Sequence, residues 1–428
     1  MQKPTLAELT RVFARIGCLS FGGPAGQIAL MQRELVDERG WVEQGAFLRA
    51  LNLCHLLPGP EAQQLATWIG WRLHGTRGGL IAGMLFVLPG AAVMLALSLL
   101  YVAAAGLHWF AALFLGIKAA VLAVVVQALV RVARRALGTR FKLALAVLAA
   151  LALTTARAPF PLVILAAGLI GAIAARWQPD WLGTHHGVPA ASPLESSRRL
   201  VAASLQTIAL WLAIWALPLA LVFLTLGPDH VLWQIGLFFS RLAVVTFGGA
   251  YAVLAYMAQA AVSGFGWLSP GEMADGLGLA ESTPGPLIMV TQFVGFIAAW
   301  RHPGGLSPLM AGVMGAGLTT WVTFAPCFLW IFACAPWMER LERAEVLQGA
   351  LAAITAAVVG VIANLALWFA LHVLFRTVSA HGLPVLSSLD WRAAVIAGGA
   401  ALMLFGLKRG IMQTLALSAA AGLAFSAF

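Results

Sequence analysis

Phe21-Gly22-Gly23-Pro24-Ala25-Gly26-Gln27 and, further on, Leu57-Pro58-Gly59-Pro60-Glu61 have partners 226 residues later, at Phe247-Gly248-Gly249 and Pro284-Gly285-Pro286. The same offset carries Trp41 onto Trp267 and Gly78-Gly79 onto Gly304-Gly305. Without a gap, residues 21–79 match 247–305 at 16 of 59 positions. Chance agreement in an Ala/Leu-rich chain would not concentrate on Gly, Pro and Trp. The chain is a duplication.

Composition says where the two copies live. Hydrophobic residues fill 61% of the 428 positions and charged residues 10%, and the mean hydropathy is +0.91. A soluble domain carries roughly a quarter of its residues charged. Apolar runs such as Gly79–Gly106 and Leu200–Leu226 reach the roughly 20 residues that span a bilayer. Ala and Leu dominate and no alternation is present, so the spans are helices and not barrel strands. The first residues are polar and no short apolar region with a small-residue cleavage site follows, so insertion is expected through the spans themselves, in contact with lipid. The net charge of +10 does not mark a nucleic-acid binder, because Lys and Arg gather in short loops between apolar runs. Cys18, Cys54, Cys327 and Cys334 lie in apolar segments and read as buried small hydrophobes.

Loop charge orients the copies. Residues 131–142 hold Arg131, Arg134, Arg135, Arg140 and Lys142, and 176–199 hold three more arginines; both loops are expected in the cytoplasm. One apolar helix over 200–226 joins the copies and inverts the second. The counterpart of the basic 131–142 loop, 371–390, then has a single Arg, as an outer loop should. The counterpart of the uncharged 106–109 loop is 335–345, with Arg340 and Arg343, and Lys408-Arg409 also falls inside. Exchanged charge between equivalent loops is the signature of an inverted repeat. The expectation is an all-α polytopic membrane protein of two inverted-topology repeats: residues 1–178, a cytoplasmic loop and linking helix over 179–230, and the inverted copy over 231–428. The N-terminus is expected inside and the C-terminus outside.

The repeated stretches break their helices. Residues 6–20 give roughly 22 Å of helix at 1.5 Å per residue, short of the ~30 Å core. Phe-Gly-Gly-Pro then interrupts, and 46–57 and 61–73 flank Pro58-Gly59-Pro60 in the same way. Each is read as a re-entrant hairpin with its tip near the midplane; kinked spanning helices give the same parity. Irregular backbone at membrane depth must line a cavity or be buried in protein, so the tips should form the binding site. A helix starting after Pro-Gly-Pro aims unpaired N–H groups and a positive dipole end at the break, which suits an anion. The candidate lining is Gly22, Gly23, Pro24, Gln27, Pro58, Gly59, Pro60, Gln63 and Gln64 in the first copy. In the second it is Gly248, Gly249, Ser282, Thr283, Pro284, Gly285, Pro286, Thr291 and Gln292. Glu61 and Glu281 are candidate proton carriers at membrane depth, and the offset places Glu281 on His55, a weaker third. Trp41 and Trp267 are expected to anchor loops at the interfaces, and His185-His186 to be solvated linker. No nucleotide fingerprint or triad order is present and the histidines are scattered, so no cofactor, no metal and no enzyme is expected.

Together, residues 21–27, 57–64 and 276–286 resemble the signatures of the chromate ion transporter family in its long, two-domain form, over nearly the whole chain. Ser282 stands where threonine is as common, and it keeps the hydroxyl. The resemblance implies efflux of chromate, with sulfate as a related anion, across the bacterial cytoplasmic (inner) membrane, driven by the membrane potential or a proton gradient, and conferring chromate resistance. It admits a homodimer and leaves an inward oxyanion carrier as the rival reading.

Overall fold

The computed structural model describes residues 3–21, 23–104, 106–156, 158–183, 197–247, 250–342, 344–379 and 383–426. Gly22, Gly248, Gly249, His185, His186 and Arg343 lie outside them.

In the first copy, α1 (Leu6–Leu19) is capped by a reciprocal Thr5/Glu8 box, and α2 (Gly23–Gln32) runs into a π turn over Arg33–Glu38. There follow α3 (Gln44–Leu56), α4 (Glu61–Ala104), α5 (His108–Ala136), α6 (Arg140–Thr154) and α7 (Phe160–Trp177). The linking helix is α8 (Ser197–Leu226). The second copy holds α9 (Val231–Val245), α10 (Ala250–Gln259) and α11 (Pro270–Ser282), which has its own Ser269/Glu272 capping box. It continues with α12 (Val290–Arg301), α13 (Pro308–Cys334), a short α14 (Met338–Glu342), α15 (Glu345–Leu374), α16 (Trp391–Ala401) and α17 (Ile411–Ser426). Among the described residues, six helical stretches are long and apolar enough to cross a membrane: Glu61–Ala104, His108–Ala136, Phe160–Trp177, Leu200–Leu226, Pro308–Trp337 and Glu345–Leu374. Extended pairing among the described residues is limited to isolated bridges, Phe375 with Leu389 and Val378 with Pro384.

The arms around the breaks double back. Arg15, before the first break, comes within 3.8 Å of Glu34, after it. Had α1 and α2 continued in one direction, the intervening residues would hold these two positions about 28 Å apart. Glu272, at the start of α11, is ion-paired to Arg301, at the end of α12, and Gly276 faces Phe293 across the same break. These are hairpins, not kinked spans. Beyond Pro58-Gly59-Pro60, the first arm of α4 ends at His74 and Gly75, whose dihedrals are not helical. The helix then reverses against its own arm, Gly70 and Gly78 lying so close that neither leaves room for a Cβ.

Reciprocal contacts show how the copies sit together. Helix α15 packs on α7 and α6, and α5 packs on α17 and α16 in the same way. The Gly59 N–H donates to Thr246 O at 2.8 Å, and the Gly285 N–H donates to Ser20 O at 2.8 Å. Each is the other shifted by 226 residues, as pairing about a two-fold axis requires. Five helices, from the outer part of α4 through α8, separate the two sets of hairpins. If all five cross, the 15-residue α6 included, their odd number inverts the second copy and the axis lies in the membrane plane.

Two packing expectations need correction. Trp267 is 2% exposed and stacks on Phe265 at a centroid distance of 4.2 Å, so it fills the loop between α10 and α11 and does not anchor it to the interface. Cys18 is exposed on α1, unlike buried Cys54 and Cys327 and half-buried Cys334, because it falls on the face of α1 opposite Leu9, Phe13 and Ile16.

Candidate functional site

Three breaks converge on one small cavity. Its walls are Pro24 and Gln27 from the first, Pro60, Glu61 and Ala62 from the second, and Pro286, Leu287 and Ile288 from the second copy. Its volume is about 10 Å3, room for about one water. An oxyanion therefore enters only if the tips part. Helix α4 begins here, and the N–H groups of Glu61, Ala62 and Gln63 have no carbonyl one turn back within the helix.

Backbone geometry explains the glycines. Gly59 has φ +122° and Gly285 φ +91°, a region open to glycine and strained for other residues. A Cβ on Gly59 would meet the Gln64 amide nitrogen at 2.9 Å and Cys327 Sγ at 3.0 Å; on Gly285 it would meet Gly90 Cα at 3.2 Å. Each Pro-Gly-Pro is thus held against the opposite copy by an N–H bond on one side and close packing on the other.

The polar side chains divide between scaffold and cavity. Gln27 Nε2 donates to Gly285 O at 2.5 Å, and Gln64 Nε2 to Pro58 O at 2.7 Å. Both amides thereby fix tip carbonyls. Ser282, Thr283 and Thr291 donate to carbonyls in their own turns, at 2.9, 3.0 and 2.8 Å. Gln292 donates to Ala91 O at 2.9 Å and accepts from Thr320 Oγ1 at 3.0 Å, tying α12 to α4 and α13. Gln63 has only a long 3.4 Å contact to Thr67 Oγ1, and its side-chain oxygen is buried without a partner. Of the candidate donors, Gln63 is the one least engaged by the fold.

The carboxylates differ. Glu61 lines the cavity and pairs with His55 Nδ1 at 3.1 Å, the imidazole being half-exposed. Glu281 is buried and accepts from Tyr251 Oη at 2.8 Å. Sequence reading missed Tyr251, which has Ala25 as its counterpart and so carries no repeat signal. It also missed a cluster farther along α11: Asp275 accepts from Tyr101 Oη at 2.7 Å and lies 3.1 Å from Lys118 Nζ. A single lysine inside the apolar run after His108 was the available clue.

A duplicated helical membrane protein with broken-helix tips meeting between its copies has the architecture of a transporter. The chain matches the chromate transporter family over residues 7–172 and 233–424, and it belongs to that family. It is 34% identical to the chromate transport protein of Pseudomonas aeruginosa, over 83% of this chain and 79% of that one. It is 30% identical to a probable chromate transport protein of Synechococcus elongatus, over 89% and 87%. It is 29% identical to the chromate transport protein of Cupriavidus metallidurans, over 84% and 81%. No solved structure matches the chain.

Proposed function

We propose that the protein exports chromate, a tetrahedral dianion, from the cytoplasm across the inner membrane, and that the ion passes between the tips of the hairpins. The convergence of three tips from both copies on one cavity carries this reading. The first-turn N–H groups of α4 and its dipole end, with the Gln63 amide one residue beyond the cavity wall at Ala62, would supply donors without formal charge. Such a site reads shape and charge, which chromate shares with sulfate. Relatives named as chromate transport proteins supply the choice of ion. Chromate resistance would follow from export.

Energetics favour the outward direction. Each charge leaving a negative interior gains about 2.3 kcal/mol per 100 mV, so a dianion gains roughly 4.6. At 1.4 kcal/mol per tenfold, that sustains an outward gradient of about three decades. At least one of Glu61 and Glu281 would modulate this export by exchanging a proton as the anion passes.

Inverted membrane vesicles decide the matter. With an imposed potential they should accumulate labelled chromate, and excess sulfate should inhibit. Accumulation only in right-side-out vesicles would make the protein an importer; no inhibition by sulfate would remove the generic dianion site. Cysteines introduced near Thr139 and near Ser387 should label from opposite faces, the first from the cytoplasm. Labelling of both from one face would overturn the proposed orientation.

A further inference from the structure

Helices α1 and α9 bury the same face and expose the same face. Leu9, Val12, Phe13, Ile16 and Gly17 are buried on α1, and their counterparts Ile235, Phe238, Phe239, Leu242 and Ala243 are buried on α9. The exposed stripe of α1 is Glu8, Arg11, Arg15 and Cys18; the equivalent stripe of α9 is Gln234, Leu237, Arg241 and Val244, of which Leu237 is half-buried. Arg15 and Arg241 are the one charged position that the two helices share.

Their depth follows from what lies beyond them. Ser20 O and Thr246 O, at the ends of these helices, accept the tip bonds from Gly285 and Gly59. Each arginine sits five residues earlier, about 7.5 Å from its tip at 1.5 Å per residue. A guanidinium that deep is costly against lipid and is found where it faces water or a partner. Arg15 has a loose partner, Glu34, at 3.8 Å, while its own side chain stays 60% exposed; Glu34 is also bound by Arg39. Among the described residues Arg241 has no carboxylate within ion-pair distance.

A cavity lies on the same stripe. Gln234, two turns before Arg241, lines a space of about 360 Å3 together with Asp229, His230 and His302. It opens at the end of α9 away from the tip, the external end in the proposed orientation. Cavity, Gln234, Arg241 and tip therefore follow one another along one helix face.

We propose that the exposed faces of α1 and α9 wall two aqueous approaches to the tips, one from each side of the membrane, and that Arg15 and Arg241 hold the oxyanion on its way in and out. The proposal rests on the transport reading for its ligand, but the approaches themselves do not. A guanidinium offers a planar fork of donors matched to oxyanion oxygens. The tips supply neutral donors, so the two arginines provide the only formal charge repeated on the path. Glu34 offsets part of the Arg15 charge, so the inner ion is held more loosely than the outer one.

Native Cys18 and its counterpart, Val244→Cys, lie one turn nearer the tips on the same faces and make the test. Variants with Cys334 replaced by Ser are treated with a membrane-impermeant, charged thiol reagent from either side of oriented vesicles; Val244→Cys also carries Cys18→Ser. Cys18 should react from the cytoplasmic side and Val244→Cys from outside. Chromate or sulfate at about ten times its dissociation constant should slow each reaction about tenfold by occupancy. Arg15→Gln should abolish protection at Cys18 and Arg15→Lys should restore it; Arg241→Gln and Arg241→Lys should do the same at Val244→Cys. Reaction with lipid-soluble reagents alone would place these faces in lipid and overturn the proposal, and so would protection that survives Arg→Gln. Labelling needs no turnover, so water access with failed chromate efflux would overturn the transport reading and leave the approaches standing.

Discussion

The two Pro-Gly-Pro tips have the same backbone and different side chains. Gly59 and Gly285 both have positive φ, and both donate to the residue preceding the opposite Phe-Gly-Gly. Around the first tip stand Glu61 with His55, and the buried amides of Gln63 and Gln64. Around the second, the matching positions after the break are Leu287, Met289 and Val290, and the acid is Glu281, before the break and held by Tyr251. Duplication preserved what the two-fold pairing needs, which is a backbone bond and a close approach. It left free what a single shared site needs only once. Of these acids only Glu61 lines the cavity itself, and the second copy meets it there with Pro286, Leu287 and Ile288.

The largest effect should fall on the shared part. Leucine at either glycine adds strain at positive φ and collides with Gln64 and Cys327, or with the α4 backbone at Gly90. Gly59→Leu and Gly285→Leu should each lower chromate efflux on the order of a hundredfold, since about 1 Å of misplacement at a positioning site has that effect. Membrane content of the variant, measured alongside, separates lost transport from lost protein. If one glycine tolerates leucine with wild-type efflux, the tips are not equivalent and the symmetric site fails.

The next effect falls on a feature that only one copy has. Asp275 corresponds by offset to Arg49, which is exposed, whereas Asp275 is 5% exposed and paired with Lys118. Removing one partner of a buried pair leaves a charge uncompensated, at about 3–5 kcal/mol. Lys118→Met should therefore lower thermal stability in detergent strongly, and adding Asp275→Leu should recover much of the loss. Arg49→Met should change stability by about 0.5 kcal/mol or less. Equal effects for Lys118→Met and Arg49→Met would mean that the α11–α12 hairpin is not pinned this way.

These cases show what a sequence carries. The offset of 226 is legible because Gly, Pro and Trp are hard to replace where backbone turns or packs closely, and from it come the duplication, the breaks and their meeting. Side-chain partners are not legible in that way. Gln27 bonds to Gly285 O, 258 positions along the chain, and no local pattern announces which acceptor an amide will choose. The donors expected to face an anion at Thr283 and Gln292 are engaged within the fold, because an unpaired buried hydroxyl or amide is costly and a nearby carbonyl satisfies it; the exposed Ser282 hydroxyl also bonds back to its own turn. Arg15 and Arg241 could have been found by the same offset, applied a few residues before Phe21.

A smaller effect separates the two acids. A dianion entering beside a carboxylate is repelled by it, and a proton on the carboxyl removes that repulsion, so anion binding should weaken as pH rises through the titration. Glu61→Gln and Glu281→Gln imitate the protonated form at nearly constant size. Both should retain anion binding, and the variant of a carboxyl that exchanges a proton during the cycle should flatten the pH dependence of efflux. Wild-type pH profiles in both variants would make the carboxylates structural and leave the membrane potential as the whole drive.

The smallest effect is expected at Tyr101, and it sharpens the contrast between the hydroxyls that serve α11. Glu281 takes its hydrogen bond from Tyr251, whereas Asp275 has Lys118 as well as Tyr101. Tyr251→Phe should therefore resemble loss of a bond to a charged group, about 1.5–3 kcal/mol, while Tyr101→Phe should remove only about 0.5–1.5 kcal/mol because the ammonium remains. Tyr101 also keeps its edge-on contacts with Phe110, Phe114 and Phe293, which phenylalanine preserves. Melting temperature and efflux are both read. Tyr101→Phe should shift the first by a few degrees at most and leave the second unchanged. If efflux falls while stability holds, the Tyr101–Asp275–Lys118 cluster belongs to the path of the ion and the second copy contributes more than its tip.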